Sequence, residues 1–173
     1  MSKVVNLLKG LGYQNVPSVT RSPFWKKQFQ DSSVETWLYN QGTATGDHYE
    51  QVVLLQVPND AVGHDGFAHG GFLAALLDES LCFCAYPVLP HRTGMTVALN
   101  IDYKAPTPAG EPLIIRAIAE SKPESRKATV TAEIYPIKTL DLTELPWATG
   151  SEPSVTATQI VVEPKWYDKL THK

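Results

Sequence analysis

Gly66-Phe67-Ala68-His69-Gly70-Gly71-Phe72-Leu73-Ala74-Ala75-Leu76-Leu77-Asp78 is the stretch on which the fold turns. Phe72 to Leu77 is good helix material, apolar on nearly every side, and it predicts a buried helix opened by the two glycines and closed by Pro87 and Pro90. A helix of that kind needs cover on more than one side, from a curved sheet or from a second subunit. Asp78 directly after the apolar run is costly to place, so its carboxylate has either a chemical task or a dedicated partner.

Downstream the apolar period changes from helical to two. Met95, Val97, Leu99, Ile101 and Tyr103 alternate with Thr96, Ala98, Asn100, Asp102 and Lys104, the pattern of a half-buried strand. Pro106, Pro108 and Gly110 make a turn, Pro112 to Glu120 and Arg126 to Tyr135 read as two more strands, and Ser154 to Val162 as the last. A long polar connection, Lys138 to Pro153, precedes that last strand. Upstream, Trp37-Leu38-Tyr39 and Val52 to Val57 read as strands. Val4 to Leu11 and the segment after Ser22-Pro23 read as two short leading helices. One buried helix followed by antiparallel strands predicts an α+β domain in which the sheet wraps the helix. The expected division is an N-terminal helical extension (1–35), the α+β domain (36–165) and a C-terminal tail (166–173).

With 173 residues, 43% hydrophobic and 19% charged, the chain can bury one sizeable core. A net charge of -3 gives no general attraction to nucleic acid or to an anionic membrane, so neither is an expected partner. A phosphate-bearing ligand therefore needs a local basic cluster. No apolar stretch reads as long enough to span a bilayer. Cys82 and Cys84, two residues apart on a helix, point to nearly opposite faces and read as small buried hydrophobes of a reducing compartment, the cytoplasm. The alternative address is mitochondrial, because residues 1–30 carry Lys3, Lys9, Arg21, Lys26 and Lys27 and no acid.

The N–H groups of Gly70 and Gly71 have no intrahelical acceptors, which suits an anion or a developing oxyanion; equally, the glycines could serve close helix–sheet packing. Asp78 lies eight residues after Gly70, about 12 Å along a straight helix. The two cannot serve one carbonyl within a single chain. Two copies of the helix packed antiparallel across a twofold axis would bring Asp78 of one to the Gly70 amide of the other. Glu79 points about 100° away around the helix and reads as exposed. His69 either holds the helix entrance or polarises a carbonyl, the structural role being favoured. His64 and Asp65 could join it on a metal only with an undiagnostic spacing, and no metal is expected. Thr96 is placed to hold a water or the Asp78 carboxylate, or is an ordinary strand threonine. Arg126 and Lys127, with Lys104 on a neighbouring strand, form the basic cluster a phosphate would need, or are simply solvated.

Gly66 to Gly71, Asp78, the Thr96 to Lys104 strand, the prolines after it and Ser125-Arg126-Lys127 together resemble the hotdog-fold acyl-CoA thioesterases of the phenylacetate-degradation type and their mitochondrial mammalian relatives. The likeness runs from Gly63 to Tyr135 and includes the last strand. It implies a long helix wrapped by an antiparallel sheet, paired into a homodimer with a continuous sheet or further into a dimer of dimers. It also implies hydrolysis of acyl-CoA with no cofactor beyond the coenzyme A of the substrate. In that family the acid, here Asp78, is general base or nucleophile, and the amide matching Gly70 is the oxyanion donor. The hydroxyl matching Thr96 lies opposite the acid, and the histidine matching His69 positions the carbonyl. The substrate-binding positions correspond to Gly71, Asp102, Lys104, Arg126 and Lys127. Many members carry an asparagine six residues before the histidine, where this chain has Gly63. The Lys138 to Pro153 connection has no family counterpart and is expected at the tunnel mouth or an oligomer contact, and the N-terminal extension over the acyl pocket or against a partner. Rival readings are a non-catalytic acyl-CoA-binding regulatory module and a hotdog dehydratase.

Overall fold

A computed structural model describes residues 3–16, 34–40, 47–138 and 142–167. In chain order the elements are α1 (Lys3–Gly10), β1 (Gln14–Asn15), β2 (Glu35–Asn40), β3 (His48–Gln56), β4 (Val62–His64), β5 (Phe67–Ala68), α2 (Gly70–Ala85), β6 (Met95–Tyr103), β7 (Pro112–Ser121), β8 (Lys127–Pro136) and β9 (Val155–Val162). One seven-stranded sheet runs in the order β1-β2-β3-β7-β8-β9-β6, antiparallel throughout. The glycine-rich approach to α2 is the small hairpin β4–β5, whose Gly66 turns with φ +80°.

Strand alternation sorts the side chains into two layers. Val53, Leu55, Leu113, Ile115, Ala117, Ala119, Val130, Ile134 and Val161 face α2 and bury Leu73, Leu76, Leu77, Leu81 and Cys84. By length and composition Gly70–Val88 could cross a bilayer, against the sequence expectation. Its leucines instead fill the concave side of the sheet, yet only 44% of the segment is buried within one protomer. The rest of that apolar circumference still lacks cover.

On the other face, Val52, Leu54, Ile114 and Tyr135 pack under Val4, Val5 and Leu8 of α1 and under Leu145. Arg116 lies in this layer, its Nε donating to the buried Glu50 at 2.7 Å, with Trp147 stacked 5.0 Å from the guanidinium. α1 and the 142–148 part of the long connection are thus on the outer layer, away from α2. Of the two places expected for each addition, the described parts do not lie over α2 in one protomer, which leaves the oligomer or partner contact. Burial of their apolar residues demands a free apolar sheet face, and the outer face supplies one. The second leading helix, after Ser22-Pro23, lies outside the described residues.

The strand β6 departs from the half-buried pattern read from its sequence. It is an edge strand, with Met95, Val97 and Tyr103 exposed by 58%, 66% and 52%. Its register against β9 slips between Thr96 and Ala98, a bulge at Val97. Strict alternation would put Thr96 on the face opposite Leu99, Ile101 and Tyr103. The extra residue reverses the phase, so Thr96 joins them on the side of α2.

Candidate active site

Asp78 projects from the middle of α2 toward β6 and β9. Thr96 Oγ1 donates to its Oδ1 at 2.6 Å, and Gln159 Nε2, from β9, donates to the same oxygen at 2.7 Å. Gln159 also donates to Thr96 Oγ1 at 2.8 Å. Thr96 has one proton, directed at Asp78, so the Cys82 thiol 3.2 Å away acts as donor to it. Burial pushes the Cys82 thiol pKa up, which keeps that proton in place. Cys82 is therefore half-buried and polar in its contacts rather than the inert hydrophobe expected. Cys84, on the opposite side of the helix, is fully buried beneath β7, within 3.6 Å of the Ala117 carbonyl.

The helix entrance is built by His69. Its backbone is extended (φ -65°, ψ 131°), and its Nδ1 accepts the Gly71 N–H at 2.9 Å, an N-cap made by an imidazole. That bond fixes the neutral ring as the tautomer with its proton on Nε2. Gly71 commits its amide to the cap, and a Cβ there would stand 3.0 Å from His69 Nδ1, so glycine is needed for the cap to close. Gly70 is left as the candidate amide donor. Tyr103 Oη donates to the Gly70 carbonyl at 2.8 Å and its ring packs over the Gly70 Cα. Gly63 lies against the other side of His69, where a Cβ would come within 3.0 Å of the His69 Cα.

A cleft of about 530 Å³ opens at this entrance, lined by His64, Phe67, His69, Gly70, Tyr103 and Lys104 among others. Asp78, Thr96 and Gln159 do not line it. Within one protomer the sites for anion and base stay at separate ends of the α2–β6 contact, as the helix length requires. Among the described residues no three His, Cys, Asp or Glu side chains gather as a metal set.

The basic residues are also divided. Lys104 follows β6 at the Val155 end of β9, whereas Lys127 pairs with Val162. The eight steps from Ser154 to Val162 separate them by about 26 Å along the strand. The single cluster expected of Lys104, Arg126 and Lys127 does not form in one protomer. Arg126 is tied to Glu163 at 3.3 Å and to the Pro164 carbonyl at 3.2 Å. Glu163 is buried, which disfavours its charge, but hydrogen bonds from the His91 backbone and ring and the nearby Arg126 outweigh that and hold its carboxyl below the usual range. Asp102 is exposed on β6, opposite Thr156.

Sequence reasoning missed Gln159 and Tyr103. Both sit in the inward phase of their strands, and a polar group in that phase was the available signal.

Residues 65–139 match the sequence profile of the thioesterase superfamily. The chain has the hotdog fold of that superfamily. The PaaI protein of the Escherichia coli phenylacetic acid degradation operon superposes with a TM-score of 0.60, covering 94% of each chain at 13% identity. Among curated relatives, an uncharacterized mitochondrial protein of Candida albicans is 32% identical over 108 residues, covering 61% of this chain and 44% of the other. Acyl-coenzyme A thioesterase THEM4 of Rattus norvegicus is 36% identical over 83 residues, covering 48% of this chain and 34% of the other. These matches span less than half the length of either relative. In hotdog terms, Asp78 is on the central helix and β6 is the open edge of the sheet.

Proposed function

We propose that the chain is an acyl-CoA hydrolase that works as a twofold dimer. The observation that carries this reading is the Asp78 carboxylate, held on one oxygen by Thr96 and Gln159. It lies beside an edge strand whose apolar side chains are open to solvent. Antiparallel pairing of β6 with its twofold copy would extend the sheet and cover Met95 and Val97. It would also set the Tyr103 end of one β6 beside the Met95 end of the other. Because Tyr103 holds Gly70 and Thr96 holds Asp78, the same step carries the Gly70 amide toward the partner's Asp78. Lys104 of one chain would likewise approach the end of the partner that carries Lys127 and Arg126, which completes a basic surface for the nucleotide phosphates.

In this mechanism Asp78 Oδ2 takes a proton from water as the water oxygen bonds to the thioester carbon. The Gly70 N–H of the other chain, supported by His69 Nε2–H, receives the carbonyl oxygen as it gains charge. Collapse breaks the carbon–sulfur bond, and the proton on Asp78 passes to the departing sulfur. The reaction asks for no metal or redox group. A panel of short, long and aryl acyl-CoA esters, followed by free-thiol release, tests the reading. At least one ester is expected to turn over at about 1 s⁻¹ or faster. No hydrolysis above buffer across the panel would rule the activity out.

A mitochondrial address is proposed over the cytoplasm, supported by the acid-poor first thirty residues and by the mitochondrial relative. Residues 1–35 fused to a fluorescent protein are expected to direct it to mitochondria; diffuse cytosolic signal from both the fusion and the full chain would reject this.

A further inference from the structure

We infer that Gln159 is a positioning residue of this site: its amide ties Asp78 Oδ1 to the Thr96 hydroxyl so that Oδ2 alone is presented to the reacting water. The inference rests on the hydrolase reading above and adds to it a residue from a different strand. Gln159 sits on β9 in the inward phase with Val155, Ala157 and Val161, and it is 0% exposed. Among those apolar neighbours a leucine or methionine would fill the space without a polar group to satisfy.

The orientation of the amide is fixed by what it meets. Nε2 lies 2.7 Å from Asp78 Oδ1, 2.8 Å from Thr96 Oγ1 and 3.3 Å from the Asp78 main-chain oxygen. Turning the amide over would set Oε1 against a carboxylate and a carbonyl. The fold instead leaves Oε1 buried with no partner. A residue that only filled the core would not be kept at the cost of an orphaned acceptor.

The three groups close a ring. One Gln159 N–H goes to Oδ1, the other to Thr96 Oγ1, and the Thr96 O–H returns to Oδ1. Two donors on one oxygen fix the plane of the carboxylate and draw charge from that oxygen, whereas no donor among the described residues reaches Oδ2. Proton transfer is thereby directed to the oxygen that faces away from β9. Asp78, Glu79 and Cys82 of α2 and Tyr86 just after it are the ionisable groups near this ring, and among the described residues β6 and β9 add none beside it.

The test uses Gln159→Met, close in volume but without a donor, and Gln159→Glu, which keeps the shape. Loss of a charge-assisted donor is expected to lower kcat of Q159M by roughly 10- to 100-fold while KM stays within about twofold. Ionised Q159E repels Asp78, whereas its protonated form can donate again. The activity of Q159E relative to wild type is therefore expected to rise as the pH falls from about 8 to about 5. A near-wild-type kcat for folded Q159M, or a flat or falling Q159E ratio, overturns the inference; Q159E decides alone if Q159M does not fold. The Asp78 carboxyl ¹³C signal, recorded without substrate, is expected to move in both variants. Absence of hydrolysis by wild type would defeat the hydrolase reading, while an unmoved signal in a folded variant would defeat this one.

Discussion

Asp78→Asn is expected to lower kcat for thioester hydrolysis by about 10²- to 10⁴-fold and to leave acyl-CoA affinity within about threefold. The substitution is nearly isosteric. Its side-chain oxygen can still accept from Thr96 and Gln159, which contact only Oδ1 of the native carboxylate. The amide nitrogen then occupies the Oδ2 position and cannot take a proton. Binding should survive because asparagine keeps the shape of the native side chain and its contacts with Thr96 and Gln159, so the surface offered to the ester is little changed. Thiol release measures the first quantity and titration calorimetry with a slowly turned-over ester the second. A variant that keeps kcat within threefold of wild type would remove Asp78 from the chemistry. If affinity collapses together with rate, Asp78 is a structural anchor instead.

The parts of the fold legible in sequence were those carried by period and by uncompensated polarity. Helix α2 and strands β3, β6, β7, β8 and β9 fell where apolar spacing put them, because each has at least one face that must be buried. The pairing of Thr96 with Asp78 was visible as one of two options. What decided between them was the bulge at Val97, which depends on pairing with β9 and leaves no mark in β6 itself. Gln159 was hidden for a related reason: its meaning comes from the register that sets β9 between β8 and β6, not from its neighbours in sequence. Within one protomer the basic residues stay apart, because closeness of strands does not give closeness of residues. Lys104 follows β6 and Lys127 opens β8, and they lie beside opposite ends of β9, the strand between them. The place of the long connection stays open in the sequence because its Leu145 and Trp147 reveal only that a surface must receive them, and the outer face is the one available.

Gly70→Pro and Asp78→Asn, each inactive alone, are expected to restore about a quarter of wild-type activity when co-expressed in equal amounts. The first variant removes a single N–H with little other change. Gly70 opens α2, where proline is well tolerated, and His69 already has the extended φ and ψ that a residue before proline requires. The nearest atoms to a Cβ at this position belong to the Tyr103 ring at 3.6 Å, an ordinary contact. If each site takes its amide from one chain and its carboxylate from the other, a mixed dimer has one site with both defects and one with neither. Random pairing makes half of the dimers mixed, so a quarter of all sites are intact. Sites built within a single chain would give no recovery, since every chain carries a lesion. Two affinity tags isolate the mixed species, whose rate per dimer should reach about half that of wild type. Mixed dimers as inert as their parents would refute the shared site, and a fully active Gly70→Pro would show that the oxyanion is held by another donor.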